Sequence, residues 1–489
     1  MPDNLVPSTS ELLRILPEII LTLVATKIMV LAPLGKGRRW SRWLGYLCLA
    51  GFAAAMGGAV VGYADPGPAF KDMLLVDGFA TFFRVLVIGV GILTALSSIP
   101  YLRREEAESG EYYALLMYSV MGQCLMAAAN DLIIIFIGLE ISSIASYVLA
   151  GYLRGRLLAN EAAIKYFLLG SFATAFLLYG IAWLYGISGS TYLGDIRAVL
   201  MTGGLAGSPL LVAAAAALVF VGLAFKVSAW PFQVWTPDVY QGAPIPVAAF
   251  LSAGPKAAAF AVLVRVFQTA FGPISNRWEP LVWVSALATM VIGNFAALVQ
   301  TNVKRLLAYS SIAHAGYVLV AVAAHSEIGT AAVMFYMAAY ALMNVGAFTV
   351  VGHVCGKGER YVAIEDLAGL GVRQPVTAGL LSVFLLSLIG VPLTGGFFGK
   401  FYIFRAALHS DLVWLTVLGL LTSAVAAYYY LRILVVMYMR EPAEATADLP
   451  PLGGALGTAL WVSALGTLVL GVYPSLILNS AGKSALLTR

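Results

Sequence analysis

Five ionisable side chains lie deep in apolar runs of this 489-residue chain. They are Glu140 in DLIIIFIGLEISSIASYVL, Lys226 in FKVSAWPFQVWTPD, Lys256 in FLSAGPKAAAF, His314 in AYSSIAHAGY and Lys400 in VPLTGGFFGKF. A charge in hydrocarbon costs about 2.5–3.5 kcal/mol on insertion scales, so chains keep such groups only when they are paired, wetted or used. One isolated charge is explained by a structural ion pair that locks helices together. Three deep lysines, a carboxylate and a histidine are more than packing needs. Burial disfavours an ammonium and a nearby carboxylate favours it, so a lysine whose partner comes and goes takes up and releases a proton. Histidine titrates near neutrality unaided. The chemistry these residue types suit is proton transfer.

The local spacing adds detail. Glu140, Ser143 and Tyr147 share one helix face by i, i+3, i+7 spacing, and this polar face is expected to look into a bundle. Ser252 lies one turn before Lys256, while Tyr309, Ser310 and Ser311 precede His314. Lys226 stands just before Pro231 and Lys400 just after Pro392. Proline removes a backbone donor, and irregular backbone at membrane depth is tolerated only beside protein or water. A lysine next to a broken helix therefore predicts a hydrated pocket. Lys27, Arg84, Lys165, Arg265, Arg405 and Arg432 lie closer to the ends of their runs, where snorkelling to the interface is expected.

The elements that must position these groups follow from composition. Hydrophobic residues make up 61% of the chain and charged ones 11%, with mean hydropathy +0.89, against about 45–50% and about 25% in soluble domains. A soluble enzyme is excluded. The apolar residues run in blocks rather than alternating, which excludes a transmembrane barrel. A hydrocarbon core takes about 20 apolar residues per helix. Fourteen such spans are predicted, near 15–33, 44–63, 78–99, 112–129, 131–152, 162–187, 209–237, 243–271, 280–300, 305–323, 328–354, 376–404, 411–438 and 456–479. The seventh is interrupted by Pro231, and the twelfth by Gly390, Pro392, Gly395 and Gly396. Connections after odd-numbered spans hold fourteen basic residues, including Lys36, Arg39, Arg154 and Lys304, against six opposite, including Arg14 and Arg489. By the positive-inside rule the odd connections are cytoplasmic and both termini outside.

Other patterns carry little. The basic residues behind the net charge of +5 are scattered, which gives no nucleic-acid signal. LGKGRR at 34–39 lacks the spacing of a phosphate loop. Cys48, Cys124 and Cys355 form no CxxC and read as buried thiols. His325, His353 and His409 are isolated, giving no metal spacing. The N-terminus, with Asp3 and Glu11 and no A-x-A pattern, is not expected to be a cleaved signal peptide.

The stretch AFKVSAWPFQVWTPDVYQGAPIPVAAFLSAGPKAAAF resembles the antiporter-like proton-channel family of respiratory NADH:quinone oxidoreductase (complex I). That family includes subunits L, M and N and the related Mrp-type cation/proton antiporter subunits. NDLIIIFIGLEISSIASY, NEAAIKYFLLGSFATAFLLYG, NVKRLLAYSSIAHAGY and GVPLTGGFFGKFYIF fit it as well, so the likeness spans nearly the whole chain. The SAWPF and PDVYQGAPIPV wording is similar to the N branch. So is Lys400 in FFGKF, where the M branch carries a glutamate, and the chain shows no long lateral helix of the L type.

The resemblance implies an all-α polytopic membrane bundle of about 14 helices in one domain, 1–489. It would contain two inverted five-helix repeats, the first half-channel at 112–271 and the second at 280–438, with helices 7 and 12 broken. It implies that Glu140 pairs with Lys226, that Lys256 bridges the halves, that His314 lies on the central axis and that Lys400 serves the second half. Ser143, Ser252, Tyr309 and Ser311 are the expected lining. The implied role is a proton-translocating subunit with no redox chemistry of its own. NADH, FMN, iron–sulfur clusters and quinone would be held by other subunits. Partners would be subunit M, the small subunits K and J, and membrane lipids of a bacterial inner membrane. The alternatives are an Mrp-type antiporter subunit and a scaffold whose charges only hold helices together.

Overall fold

The computed structural model describes residues 7–35, 38–202, 209–447 and 449–485; Asp3, Lys36 and Arg489 lie outside them. A segment crossing hydrocarbon must satisfy its backbone polar groups internally, which selects helix. The helices that do so are α1 (Leu16–Leu31), α2 (Arg38–Tyr63), α3 (Gly78–Arg104), α4 (Gly110–Ala128), α5 (Leu132–Ala150) and α6 (Leu157–Ser188). They continue with α7 (Pro209–Val227), α8 (Trp235–Gly242), α9 (Ile245–Arg265), α10 (Ser275–Leu298) and α11 (Val303–Ala323). The last are α12 (Glu327–Val354), α13 (Pro375–Ile389), α14 (Gly395–His409), α15 (Val413–Met439) and α16 (Gly454–Val472).

Among the described residues, eleven helices are long and apolar enough to cross a bilayer alone. The remaining crossings are the 16-residue α1, the more polar α4 and the joined pair α13–α14, which brings the total to the fourteen expected. Asp77, Asp131, Asn302 and Ser326 cap α3, α5, α11 and α12 by accepting from first-turn amides.

The two interrupted spans break where proline and glycine predicted. α7 stops at Val227 and α8 begins at Trp235. The amide of Trp230 donates to Thr289 Oγ1 (2.8 Å), and Ser285 Oγ donates to the Trp230 carbonyl (2.7 Å). α10 thus supplies the partners that the break removed. α13 ends at Gly390 in a left-handed conformation (φ 94°), and α14 starts at Gly395. At Gly396 a Cβ would lie 1.8 Å from the Ser387 carbonyl, so only glycine lets the two half-helices meet there.

The five spans from α4 to α9 and the five from α10 to α15 repeat one arrangement. Each opens with a tightly packed hairpin, α4 on α5 and α10 on α11. In each the third span packs on the broken one, and the last helix returns to the first. Because five is odd, the second set enters from the opposite face and is inverted. α9, α11 and α12 are enclosed by other helices, whereas α6 and α15 turn most of their surface outward.

Two of the basic residues expected to snorkel do not. Arg84 is buried and pairs with Glu18 across α3 and α1 (2.7 Å). Arg265, also buried, pairs with Asp77 (2.9 Å). Both have carboxylates within reach inside the protein, a cheaper solution than stretching to water. A small hairpin, Gly67–Ala69 with Leu74–Val76, also forms between α2 and α3, in a connection too short to have signalled it.

Candidate proton relay

α5 carries Glu140 at its middle, but not on the inward face its spacing predicted. Ser143 and Tyr147 are buried, while Glu140 is only half-buried. It sits on an outward stripe with Ile133, Ile137, Ile144 and Val148, all exposed. Glu140 Oε1 is enclosed and has no hydrogen-bond partner. No ion pair joins Glu140 to Lys226 among the described residues. Lys226 Nζ instead donates to the Tyr147 hydroxyl (3.4 Å). It lies about 5 Å from the Tyr147 and Tyr166 ring centroids, a cation–π cage in the last turn of α7 beside the break. Tyr147 thus reaches Lys226 from the same helix that carries Glu140.

A crevice of about 1090 Å³ between α4, α5 and α6 reaches this tyrosine from the connections that follow the odd spans. Glu108, Glu111 and Arg154 lie at its mouth.

Lys256, 1% exposed on α9, donates to Ser311 Oγ (2.6 Å) and to the Ser311 carbonyl (3.1 Å) on α11. One turn along α11, His314 Nδ1 shares a hydrogen bond with the Tyr336 hydroxyl of α12, and Nε2 with the Tyr430 hydroxyl of α15 (3.2 Å). Tyr317, the next residue on this face, places its ring 5.0 Å beneath Lys400 Nζ. Lys400 on α14 donates to the Leu388 and Ile389 carbonyls (3.0 and 2.8 Å), which the break in the twelfth span frees, and to Ser423 Oγ (2.8 Å) of α15.

Lys256, His314 and Lys400 thus each have a hydroxyl partner on an adjacent helix. All three, like Lys226, are at most 7% exposed. Hydroxyls and imidazole both donate and accept, the property that proton transfer between such groups requires.

The expected lining is partly misassigned. Ser311 lies on the path. Ser252 does not touch Lys256, because its hydroxyl accepts from Asn344 Nδ2 (2.6 Å) instead. Tyr309 faces outward under Arg305 (5.8 Å). The tyrosines around His314 were not anticipated. Tyrosine is abundant here, 24 residues, and an interfacial belt would use it equally well. Yet Tyr317, Tyr336, Tyr340 and Tyr430 are fully buried. Their i, i+4 spacing at 336 and 340, on the helix following the histidine, was the available signal. No group of three His, Cys, Asp or Glu able to hold a metal occurs among the described residues.

Residues 129–426 match the family model described as "NADH:quinone oxidoreductase/Mrp antiporter, TM". The chain is 63% identical, over 99% of both sequences, to NADH-quinone oxidoreductase subunit N 1 of Solibacter usitatus. Its fold is similar to a chain of respiratory complex I from Thermus thermophilus with bound aureothin. The TM-score is 0.80 at 33% identity, covering 95% of this chain and 98% of that one. A chain of the Mrp complex from Dietzia sp. is alike in fold (TM-score 0.84) at 21% identity, covering 97% of each chain.

Proposed function

The chain belongs to the NADH:quinone oxidoreductase/Mrp antiporter membrane family, with NADH-quinone oxidoreductase subunit N proteins among its relatives, and on that premise we propose that it is a proton-translocating subunit of such an oxidoreductase. It would move protons and leave the redox chemistry to subunits holding NADH, FMN, iron–sulfur clusters and quinone. The observation that carries this reading is a set of four buried bases, each with a hydroxyl partner: Tyr147 at Lys226, Ser311 at Lys256, Tyr336 and Tyr430 at His314, and Ser423 at Lys400.

A proton enters by the crevice at Glu108 and Glu111 and loads Lys226 past Tyr147. A charge change outside the chain, felt at half-buried Glu140, drives it on. Lys226 then hands its proton through Lys256 and His314 to Lys400, which releases it on the opposite side. Residues 112–271 and 280–438 serve as the two half-channels. The exposed stripe around Glu140 supports a neighbouring membrane subunit there, of the small K and J type, with an M-type subunit elsewhere and lipid over the rest. The membrane is the bacterial inner membrane, with both termini periplasmic. The Mrp-type alternative is supported by the shared family model and by a likeness of fold at 21% identity.

The test is NADH-driven proton pumping in inverted vesicles carrying Lys226→Ala, with assembly checked on a native gel. Lost pumping in an assembled complex is expected, and normal pumping overturns the relay. Lost assembly instead favours the scaffold role.

A further inference from the structure

The half of the seventh span beyond its break is gripped by two consecutive residues of another helix. Asp238 on α8 accepts from Arg305 Nη1 of α11 (2.7 Å) and from Lys165 Nζ of α6 (2.6 Å). The same Arg305 nitrogen donates to Gln241 Oε1, also on α8 (2.9 Å). Next to it Lys304, 1% exposed, donates to the Ala243 carbonyl that closes α8 (2.7 Å) and to Glu359 Oε2 (2.8 Å). Glu359 accepts in turn from the first amide of α9, at Ile245 (3.0 Å), and from the Tyr101 hydroxyl of α3.

The body of α8, its joint with α9 and the start of α11 are thus one connected cluster. Glu359 is presented by a tight turn in which Gly356, Gly358 and Glu359 itself all have positive φ (68°, 78° and 51°). A non-glycine residue holds that conformation only where its surroundings over-determine it.

The Lys304–Glu359 pair is buried and the Arg305–Asp238 pair about a third exposed; such pairs add little net stability, so their part here is to fix the register in which groups of α8 and α11 face each other. The register here joins particular parts. α8 begins nine residues beyond Lys226, and α11 carries Ser311 and His314 about two to three turns from Lys304. A helix transmits a tilt over that length. We propose that Lys304 and Arg305 are positioning residues that tie α8 to α11, so that a displacement at the Lys226 break is delivered as a displacement at Ser311 and His314.

The proposal rests on the relay reading above. Its test uses the whole complex in inverted vesicles, measuring protons moved per NADH oxidised, the NADH oxidation rate and assembly for Arg305→Gln and Arg305→Lys. Arg305→Gln is expected to assemble and oxidise NADH while moving about two-fold fewer protons per NADH or worse, the range of coupling mutations. Arg305→Lys, which still reaches Asp238, is expected to recover most of the loss. A native proton yield in Arg305→Gln overturns the proposal. If that variant fails to assemble, Asp238→Asn leaves both cations in place, and a native yield there overturns it equally. Lys226→Ala runs in parallel: normal pumping in it removes the relay itself, whereas lost pumping in it beside native Arg305→Gln removes only the coupling.

Discussion

Tyr147 reaches Lys226 because Gly170 on α6 has no side chain; a Cβ there would stand 2.2 Å from the Tyr147 hydroxyl. Gly170→Ala should therefore push the tyrosine out of reach, an overpacking cost of about 1–3 kcal/mol. The expected result is an assembled complex with reduced NADH-driven proton pumping. Tyr147→Phe should reproduce the pumping loss without the packing cost, read as an unchanged disassembly temperature. At the other end of the path, Tyr430→Phe leaves His314 Nε2 without its acceptor or donor. It should lower pumping several-fold while an intact assembly still oxidises NADH, a loss of about 1–2 kcal/mol. The charged members of the path were legible in the sequence because a charge in an apolar run is costly enough to stand out. The hydroxyls between them were not, since a tyrosine costs little on either face of a helix and its direction is settled by neighbours far away in the chain.

At the scale of elements, the buried pair of Arg84 and Glu18 holds α3 to α1 (2.7 Å). Removing one partner leaves an uncompensated charge, at about 3–5 kcal/mol, whereas replacing both by apolar residues is close to neutral. Arg84→Met alone should lower the temperature at which the complex disassembles, and Arg84→Met with Glu18→Met should recover most of it. The turn carrying Glu359 answers to pH. Burial pushes its carboxyl up, but Lys304, the Tyr101 hydroxyl and Arg156 outweigh burial and hold it below the usual carboxylate range. A depressed folded value means its contribution is present above the unfolded value and fades as pH falls through the folded one. Glu359→Gln should thus destabilise the complex at pH 7, with the two melting curves converging below about pH 4. Proline and glycine marked both helix breaks in advance. The grip of α11 on α8 had no such mark, because its partners are 61 to 67 residues apart in sequence.

For the whole molecule, the count of fourteen crossings and the charge asymmetry of their connections make a topological prediction. A cysteine replacing Gly155, between α5 and α6, should react with an impermeant maleimide only from the cytoplasmic side. One replacing Thr202, in the exposed connection before α7, should react only from outside; labelling of both from one side would overturn the orientation. The number of crossings was readable from apolar length alone. The internal repeat was not readable from the residues themselves, because inversion preserves packing order without requiring similar residues; the family resemblance implied it, and the helix contacts show it.

Glu140, Lys256 and His314 each sit near the midpoint of a span, and Lys226 and Lys400 sit beside mid-span breaks. A proton passing among them, as proposed above, would travel along the plane of the bilayer. Movement in that plane does no electrical work against the membrane voltage, which acts at about 2.3 kcal/mol per charge per 100 mV only along the normal. On the proposed relay the opposing voltage would be met in two shorter steps, entry to Lys226 and exit from Lys400, and the transfer between them would do no work against it.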